Sequence, residues 1–545
     1  MANSFSIKGN YIDLFQANIF SAEIKVVDGK ISSITPLDSV NENQPYLLPG
    51  FVDAHVHIES SMLLPSEFAR LAVPHGTIGT VSDPHEIGNV LGVEGVIYML
   101  ENAQQTPFYC CFGAPSCVPA TVFETAGADI NEHAVELLLK RTDIYYLTEM
   151  MNFPGVLNAD KQVLAKIAAA KKYNKPVDGH APGLKGALAQ KYIQAGISTD
   201  HECFTLDEAL DKLSYGMKIL IREGSAAKNF NALVDLLDTH PNEVMFCSDD
   251  KHPDSLVEGH INLLVKRALA AGKPLFPVLK AACINPVLHY NLPIGLLRVG
   301  DSADFIVVDN LTAFNVMQTI IHGECVAENN KSYLPSIKTA PVNHFNTTPL
   351  KLDQLSVKAS GTNLTVIEAL NGQLITNRLS IPAVIKDNCI QTSTTTDVLK
   401  LVCYNRYHPA EPAIAFIKNF GLKRGAIAGT VAHDSHNIIA VGTSDEALLQ
   451  VINELVQLKG GIAVADEQKV YSLALPVAGL MSNEDGYEVA KAYAALDTKA
   501  KELGSTLDAP FMTLSFMALL VIPELKLSDK GLFDGSSFQF TALCS

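Results

Sequence analysis

The stretch YYLTEMMNFPG, residues 145–155, begins as an apolar, aromatic run and reaches Thr148-Glu149 before a turn at Pro154-Gly155. With Ile144 in front of it, the run reads as a buried β-strand that carries a carboxylate at its tip. No Lys or Arg lies within several residues on either side. A buried carboxylate needs a counter-charge, so this strand predicts a fold in which other segments bring one to Glu149.

Seven further runs of the same kind surround it. They are FVDAHVH from Phe51, TIGTVSD from Thr77, PFYCCFGA from Pro107, PVDGH from Pro176, ISTDH from Ile197, KILIREG from Lys218 and VMFCSDD from Val244. Amphipathic segments such as KQVLAKIAAAKKY and NALVDLLDTH separate them. Eight β/α units over about 240 residues have the size of a closed (β/α)8 barrel, with an open doubly wound sheet as the alternative.

Ahead of the barrel, AEIKVVDGKISSI is a hairpin with Asp28-Gly29 at its turn. Behind it, a strand pattern returns from Ala303 in ADFIVVDNLTAFNVMQTIIHGECV, and a polar linker follows. The predicted architecture is α/β. A TIM-like barrel (49–295) carries a small β-sandwich built from segments before (1–48) and after it (296–345, including the linker). A C-terminal α/β domain (346–545) completes the chain.

The bulk numbers agree with several cores. The chain has 545 residues, 48% hydrophobic and 18% charged, so two or three globular domains are expected. A net charge of -17 argues against nucleic-acid and anionic-membrane partners. The ten Cys include no CxxC pair and read as buried, reduced thiols. MANSFSIKGNYIDLF has no secretory pattern, and the apolar run from Phe511 falls short of the roughly 20 residues that span a bilayer. A cytoplasmic protein with a small-molecule substrate is expected.

Barrel enzymes place their chemistry at the C-terminal ends of the strands. Here those ends carry His55 and His57, then Asp83, His85 and Glu86, then Glu149, His180, His201, and Asp249-Asp250. Residues at i and i+2 of a strand share a face, so His55 and His57 can grip one ion. Alone, an HxH is equally an ordinary strand-end pair. Four His, one Glu and one Asp on different strand ends make six ligand groups, too many for one tetrahedral ion and suited to two neighbouring Mn, Fe or Zn ions. His75 precedes its strand and is expected at the opposite, structural end. His240, His260 and His289 lie in helical or connecting segments and are expected to be structural.

The segment LLPGFVDAHVHIESSM resembles the first-strand signature of the amidohydrolase superfamily, and GLLRVGDSADFIVVD its return into the β-sandwich. SDPHEIGNV, EMMNFPGVLN, DGHAPGL, STDHEC, IREGSA, SDDKHP and VAHDSHNIIAVG extend the resemblance to the bacterial adenine deaminases. That resemblance implies a binuclear site that converts adenine to hypoxanthine and ammonia, a purine-salvage reaction. It implies that His55, His57 and Asp249 bind one ion, His180 and His201 the other, and that Glu149 bridges them. In many relatives a carboxylated lysine bridges; here the nearest following lysine, Lys161, lies in the next helix. The implied ions are Mn2+ or Fe2+ rather than Zn2+, and the implied assembly is a homo-oligomer, a dimer or tetramer. One departure is NRYHPAEPA, where an Arg-His pair closer to RHG is expected.

For the chemistry, Asp249 is expected to carry a proton from the nucleophile to the leaving amine, and Glu86 to protonate N1, tuned by Asp83 and His85. Against this, DPHE can be a plain βα turn with an N-cap. Asp250 and His252 are expected at the purine edge, with Arg222, Glu223 and Ser225 as further substrate contacts. HDSH (433–436) is expected to close the active site or form a subunit interface, with a third metal site or a structural role as alternatives. The competing functions are an amidohydrolase acting on a cyclic amide or another base, which Glu149 disfavours, and a catalytically silent scaffold, which the presence of Asp249 and Glu149 disfavours.

Overall fold

The computed structural model describes residues 4–37, 39–466 and 468–545. Strands β1 (Phe5–Asp13), β2 (Asn18–Val27) and β3 (Lys30–Pro36) form an antiparallel meander. Asp28 and Gly29 join the last two with φ of 52° and 74°, the paired positive values of a type I′ hairpin turn. β4 (Tyr46–Pro49) then runs parallel to β1 and leads into the barrel.

The eight expected barrel strands are present: β5 (Phe51–Val56), β6 (Thr77–Ser82), β7 (Tyr109–Phe112), β8 (Leu147–Met150), β9 (Val177–Gly179), β10 (Thr199–Asp200), β11 (Lys218–Arg222) and β12 (Val244–Cys247). Parallel ladders join β5-β6-β7, β8-β9 and β10-β11-β12. Ala114 N–H donates to Tyr146 C=O (2.9 Å) and Ser198 N–H to Val177 C=O (2.8 Å), linking the three groups. The ring closes where Asp249 N–H donates to His55 C=O (2.9 Å) and His57 N–H to Asp249 C=O (3.3 Å). The first strand is thus flanked by the second and the eighth, which excludes an open sheet. Every residue of β5, β6 and β12 is buried, as strands covered on both faces must be, and this is why they read as continuous apolar runs.

The chain returns through β13 (Phe305–Val308), β14 (Val316–Ile321), β15 (Glu324–Glu328) and β16 (Lys331–Ser332). β13 pairs with β4, so the segments before and after the barrel form one eight-stranded sheet. The β2-β3 hairpin at its edge curls back onto the segment that leads into β13: Ile31 N–H donates to Asp301 C=O (3.0 Å) and Ala303 N–H to Gly29 C=O (2.9 Å). The sheet therefore folds over a core that includes Tyr11, Ile24, Val26, Leu47, Phe305 and Ile320. The polar linker beyond it is pinned to the barrel, with Arg70 donating to Leu334 C=O (3.1 Å) and Tyr98 to Ala340 C=O (2.9 Å).

The C-terminal domain is a second eight-stranded sheet with a helix, Asp445–Leu458, on one face. Ser444 caps that helix by accepting from Ala447 N–H. Alternation divides the sheet: Val402, Ala428 and Ala440 face the helix, while Leu401, Ile427 and Val441 join the core shared with the barrel. This second face sets the domain over the C-terminal ends of the barrel strands. Among the described residues, no helix is long and apolar enough to cross a membrane.

Candidate metal centre and active site

The strand-tip residues converge. His55 and His57, on one face of β5, bring their Nε2 atoms to 3.2 Å. Asp249, just past β12, places Oδ1 3.6 Å from His55 Nε2 and 3.2 Å from His57 Nε2. Glu149, on β8, divides its carboxylate. Oε1 lies 3.3 Å from His57 Nε2, while Oε2 lies 2.7 Å from His180 Nδ1 and 3.3 Å from His201 Nε2. All six residues are buried. Asp249 adopts φ 55°, a left-handed conformation that a non-glycine residue holds at a cost and that recurs at functional sites.

The chemistry of this donor set fits metal ions. His57 Nδ1 lies 3.3 Å from Asp83 C=O. A carbonyl only accepts, so Nδ1 carries the proton and Nε2 presents its lone pair. That lone pair meets another imidazole nitrogen and two carboxylate oxygens at 3.2–3.3 Å. Electron-rich atoms gathered in a buried site need a cation among them. His55, His57 and Asp249 form one grouping that could hold an ion, and His55, Glu149 and His201 another. Imidazole with carboxylate suits Mn, Fe or Zn.

Arg222 stands behind this cluster. Its guanidinium donates to Asp249 Oδ2 at 2.7 Å and contacts Glu202 Oε1 more closely still. Burial pushes the Asp249 carboxyl up, but Arg222 and the imidazoles outweigh it and hold it well below the usual carboxylate range. Glu149 is likewise raised by burial and lowered further by His180, His201 and His57. Glu202, absent from the sequence reading, lies 3.4 Å from His201 Nε2 and 3.7 Å from His180 Nδ1. Its signal was Arg222 itself, because an arginine in the buried run KILIR needs a carboxylate partner.

Five of the residues expected near the substrate, Arg222, Asp83, His252, Glu223 and Ser225, do not line the active-site cavity. Arg222 has its fork filled by two carboxylates and does not reach the cavity. Asp83 faces His85, with its Oδ2 3.0 Å from His85 Nδ1 and its Oδ1 accepting the His85 N–H. His252 is hydrogen-bonded to Tyr493 and lines a separate cleft of about 610 Å³, together with Glu223 and Ser225. Asp250 and His85 do line the active-site cavity, and Asp250 accepts from Ser60 Oγ. His260, expected to be structural, donates from Nε2 to Asp53 Oδ2 and accepts at Nδ1 from the Thr77 hydroxyl, both at 2.8 Å. Asp53 in turn accepts the N–H groups of His55 (3.2 Å) and Ser248 (3.0 Å), tying β5 to β12 beneath the ligands.

The cavity is roofed by the C-terminal domain, through Leu374, His433, Asp434, Phe516 and Leu519. Lys526 braces the roof by donating to the carbonyls of Leu374 (2.5 Å) and Phe516 (3.0 Å). Residues 433–435 form a turn rather than a helix, and the strand Ile438–Gly442 follows. This turn places His433 Nδ1 2.5 Å from Glu86 Oε1 and His436 Nε2 against Glu86 Oε2. In the departing NRYHPAEPA segment, Arg406 is fully buried and donates to Ala478 C=O (2.6 Å), Asn343 Oδ1 (3.0 Å) and His436 C=O (3.2 Å). It fixes the turn and does not enter the cavity.

Comparison with known proteins agrees with this geometry. Residues 46–326, more than half of the chain, match the amidohydrolase family, and residues 373–539 match the adenine deaminase C-terminal domain. An adenine deaminase of Sulfurovum sp. (strain NBC37-1) is 55% identical over 539 residues, covering 99% of each chain. One of Salinibacter ruber is 54% identical, again over 99% of each. One of Methanosarcina mazei is 50% identical over 98% of each. The metal-ligand barrel and the roof that closes it are matched together along nearly the whole length, and the chain belongs to the adenine deaminase family of amidohydrolases.

Proposed function

We propose that this chain hydrolyses adenine at C6 to hypoxanthine and ammonia, with two divalent ions held by His55, His57, Asp249, Glu149, His180 and His201. Glu149 carries the metal reading, because its two oxygens face opposite halves of the ligand set at 2.7–3.3 Å. The near full-length adenine deaminase relatives support the substrate. Two carboxylates among the donors favour Mn2+ or Fe2+ over Zn2+. When bound, the ions supply a nucleophile at neutral pH by lowering the pKa of water from 15.7 to about 7.

The protein's own groups handle the protons. Asp249 has one oxygen tied to Arg222, which leaves Oδ1 to take a proton from the attacking water and hand it to the amino group. Glu86 protonates N1 as C6 becomes tetrahedral, so negative charge does not accumulate in the ring. Met151, Leu374, Phe516 and Leu519 line the same cavity and give the purine an apolar enclosure. After loading with Mn2+, or with Fe2+ under anaerobic conditions, a panel of purines and pyrimidines is read by ammonia release. Adenine should give ammonia and hypoxanthine in equal amounts. No ammonia from adenine, or faster release from another base, refutes the reading.

A further inference from the structure

Glu86 is assigned above as the acid for N1, yet an acid must hold a proton before it can give one. Its carboxylate is gripped from the C-terminal domain, with His433 on Oε1 and His436 on Oε2. All three residues are buried. Burial pushes the Glu86 carboxyl up, but the two imidazoles with His85 hold it well below the usual range. The resting glutamate is therefore ionised, and its proton must be stored beside it.

The two histidines are not equivalent. Ala432 N–H donates to His436 Nδ1 at 3.2 Å. A nitrogen that accepts cannot also carry a proton, so His436 is neutral with its proton on Nε2, facing Glu86. It can hold the carboxylate but has no proton to spare. Among the described residues, no such donor meets His433. Its Nδ1 lies 2.5 Å from Glu86 Oε1 and its Nε2 3.8 Å from Asp250 Oδ1. Its ring is stacked on Phe516, with centroids 5.0 Å apart and planes at 26°. An imidazole between two carboxylates favours the doubly protonated form. Burial lowers His433, but Glu86 and Asp250 more than offset this and raise it to about 9.

We propose that His433 and His436 are positioning residues for Glu86, His433 as the source of the proton that Glu86 passes to N1 and His436 as its fixed anchor. The proposal rests on the adenine deamination reading. In the relay the Nδ1–H bond of His433 breaks as a Glu86 O–H bond forms, and that bond breaks as N1–H forms. His433 ends neutral and Glu86 ionised. The N1 proton stays in hypoxanthine. The water consumed carries two protons: one leaves in ammonia by way of Asp249, and the other restores His433. The acid is thus split between the barrel, which holds Glu86, and the C-terminal domain, which holds its proton.

The test is a double-mutant cycle on the metal-loaded full chain, reading kcat and KM for adenine together with bound metal. His433→Gln should lower kcat about 100-fold, the low end for loss of a proton transfer, with KM within about threefold and bound metal unchanged. In a Glu86→Gln background the same substitution should lower kcat less than about threefold, because the path is already cut. His436→Gln, which keeps a donor toward Glu86, should lose less than about tenfold in kcat. If His433→Gln does not fold, His433→Asn takes its place. Equal losses in both backgrounds, an unchanged kcat, or loss of bound metal with His433 overturns the proposal while leaving adenine deamination intact. A wild-type chain that releases no ammonia from adenine overturns both.

Discussion

Replacing Glu149 with Gln changes one oxygen to an amide nitrogen and removes one charge, with almost no change in volume. The two halves of the site should respond unequally. The His55 and His57 half keeps Asp249 Oδ1 at 3.6 and 3.2 Å. Among the described residues, the His180 and His201 half keeps Glu202 as its one carboxylate within 4 Å, and Glu202 is already held by Arg222. The second half should therefore empty first. Loss of an outer partner of a ligand already weakens metal binding 10–100-fold, so loss of the ligand itself should cost at least about 100-fold. A site filled at 100 times its Kd stabilises the fold by about 2.7 kcal/mol, and at 100-fold weaker affinity by about 0.4 kcal/mol. The expected result is a fall from two bound ions toward one and a loss of about 2.3 kcal/mol of metal-dependent stability. Elemental analysis after gel filtration with a mild chelator, paired with denaturation at fixed free metal, measures both. Two ions retained by Glu149→Gln under conditions that strip none from wild type would refute a bridging role.

Glu124 is buried beside the roof, and burial followed by Asp434 raises it from 4.5 to about 8. The unfolded chain ionises above about 4.5 while the folded chain keeps the proton, so stability should fall between those pH values by on the order of 5 kcal/mol, at 1.36 kcal/mol per unit. Glu124→Gln should flatten the denaturation midpoint between pH 5 and 8, and an unchanged slope would count against the linkage. Arg406→Lys keeps the charge but cannot reach all the acceptors at Ala478, Asn343 and His436. With one or two buried acceptors left unpaired, it should cost about 2–4 kcal/mol and lower kcat more than metal content; a variant with wild-type kcat would show that the 433–436 turn does not depend on it.

The strand tips were legible because the signal is local. An apolar run followed by a polar residue reports both the strand and its end, and eight such runs supply the barrel. The proposed ligands at positions 55, 57, 149, 180, 201 and 249 all sit at such ends. Residues whose meaning depends on a distant partner were not legible in the same way. Arg222 occupies a strand end like the ligands do, yet its fork turns to Glu202 and Asp249. Nothing local in HDSH names a partner for His433 and His436, yet a turn that ends at φ 54° on His436 directs both rings at Glu86. The roof residues Leu374, Phe516 and Leu519 are ordinary apolar side chains, and no pattern in their neighbourhoods distinguishes them from core.

In the proposed relay the acid is split between two domains, so the C-terminal roof takes part in proton supply. The six proposed metal ligands lie on barrel strands or just past them, so any separation of the roof from the barrel would leave them in place. The same separation takes His433 and His436 off Glu86 and removes the apolar cover formed by Leu374, Phe516 and Leu519. Burial and two imidazoles act on Glu86 in opposite directions, so its readiness as an acid depends on the roof being seated. Water exclusion and proton supply then arise from one contact surface. The apolar face of the C-terminal sheet, with Leu401, Ile427 and Val441, shares one core with the barrel and keeps the roof seated, so in the proposed relay proton supply and enclosure of the purine depend on the same packing.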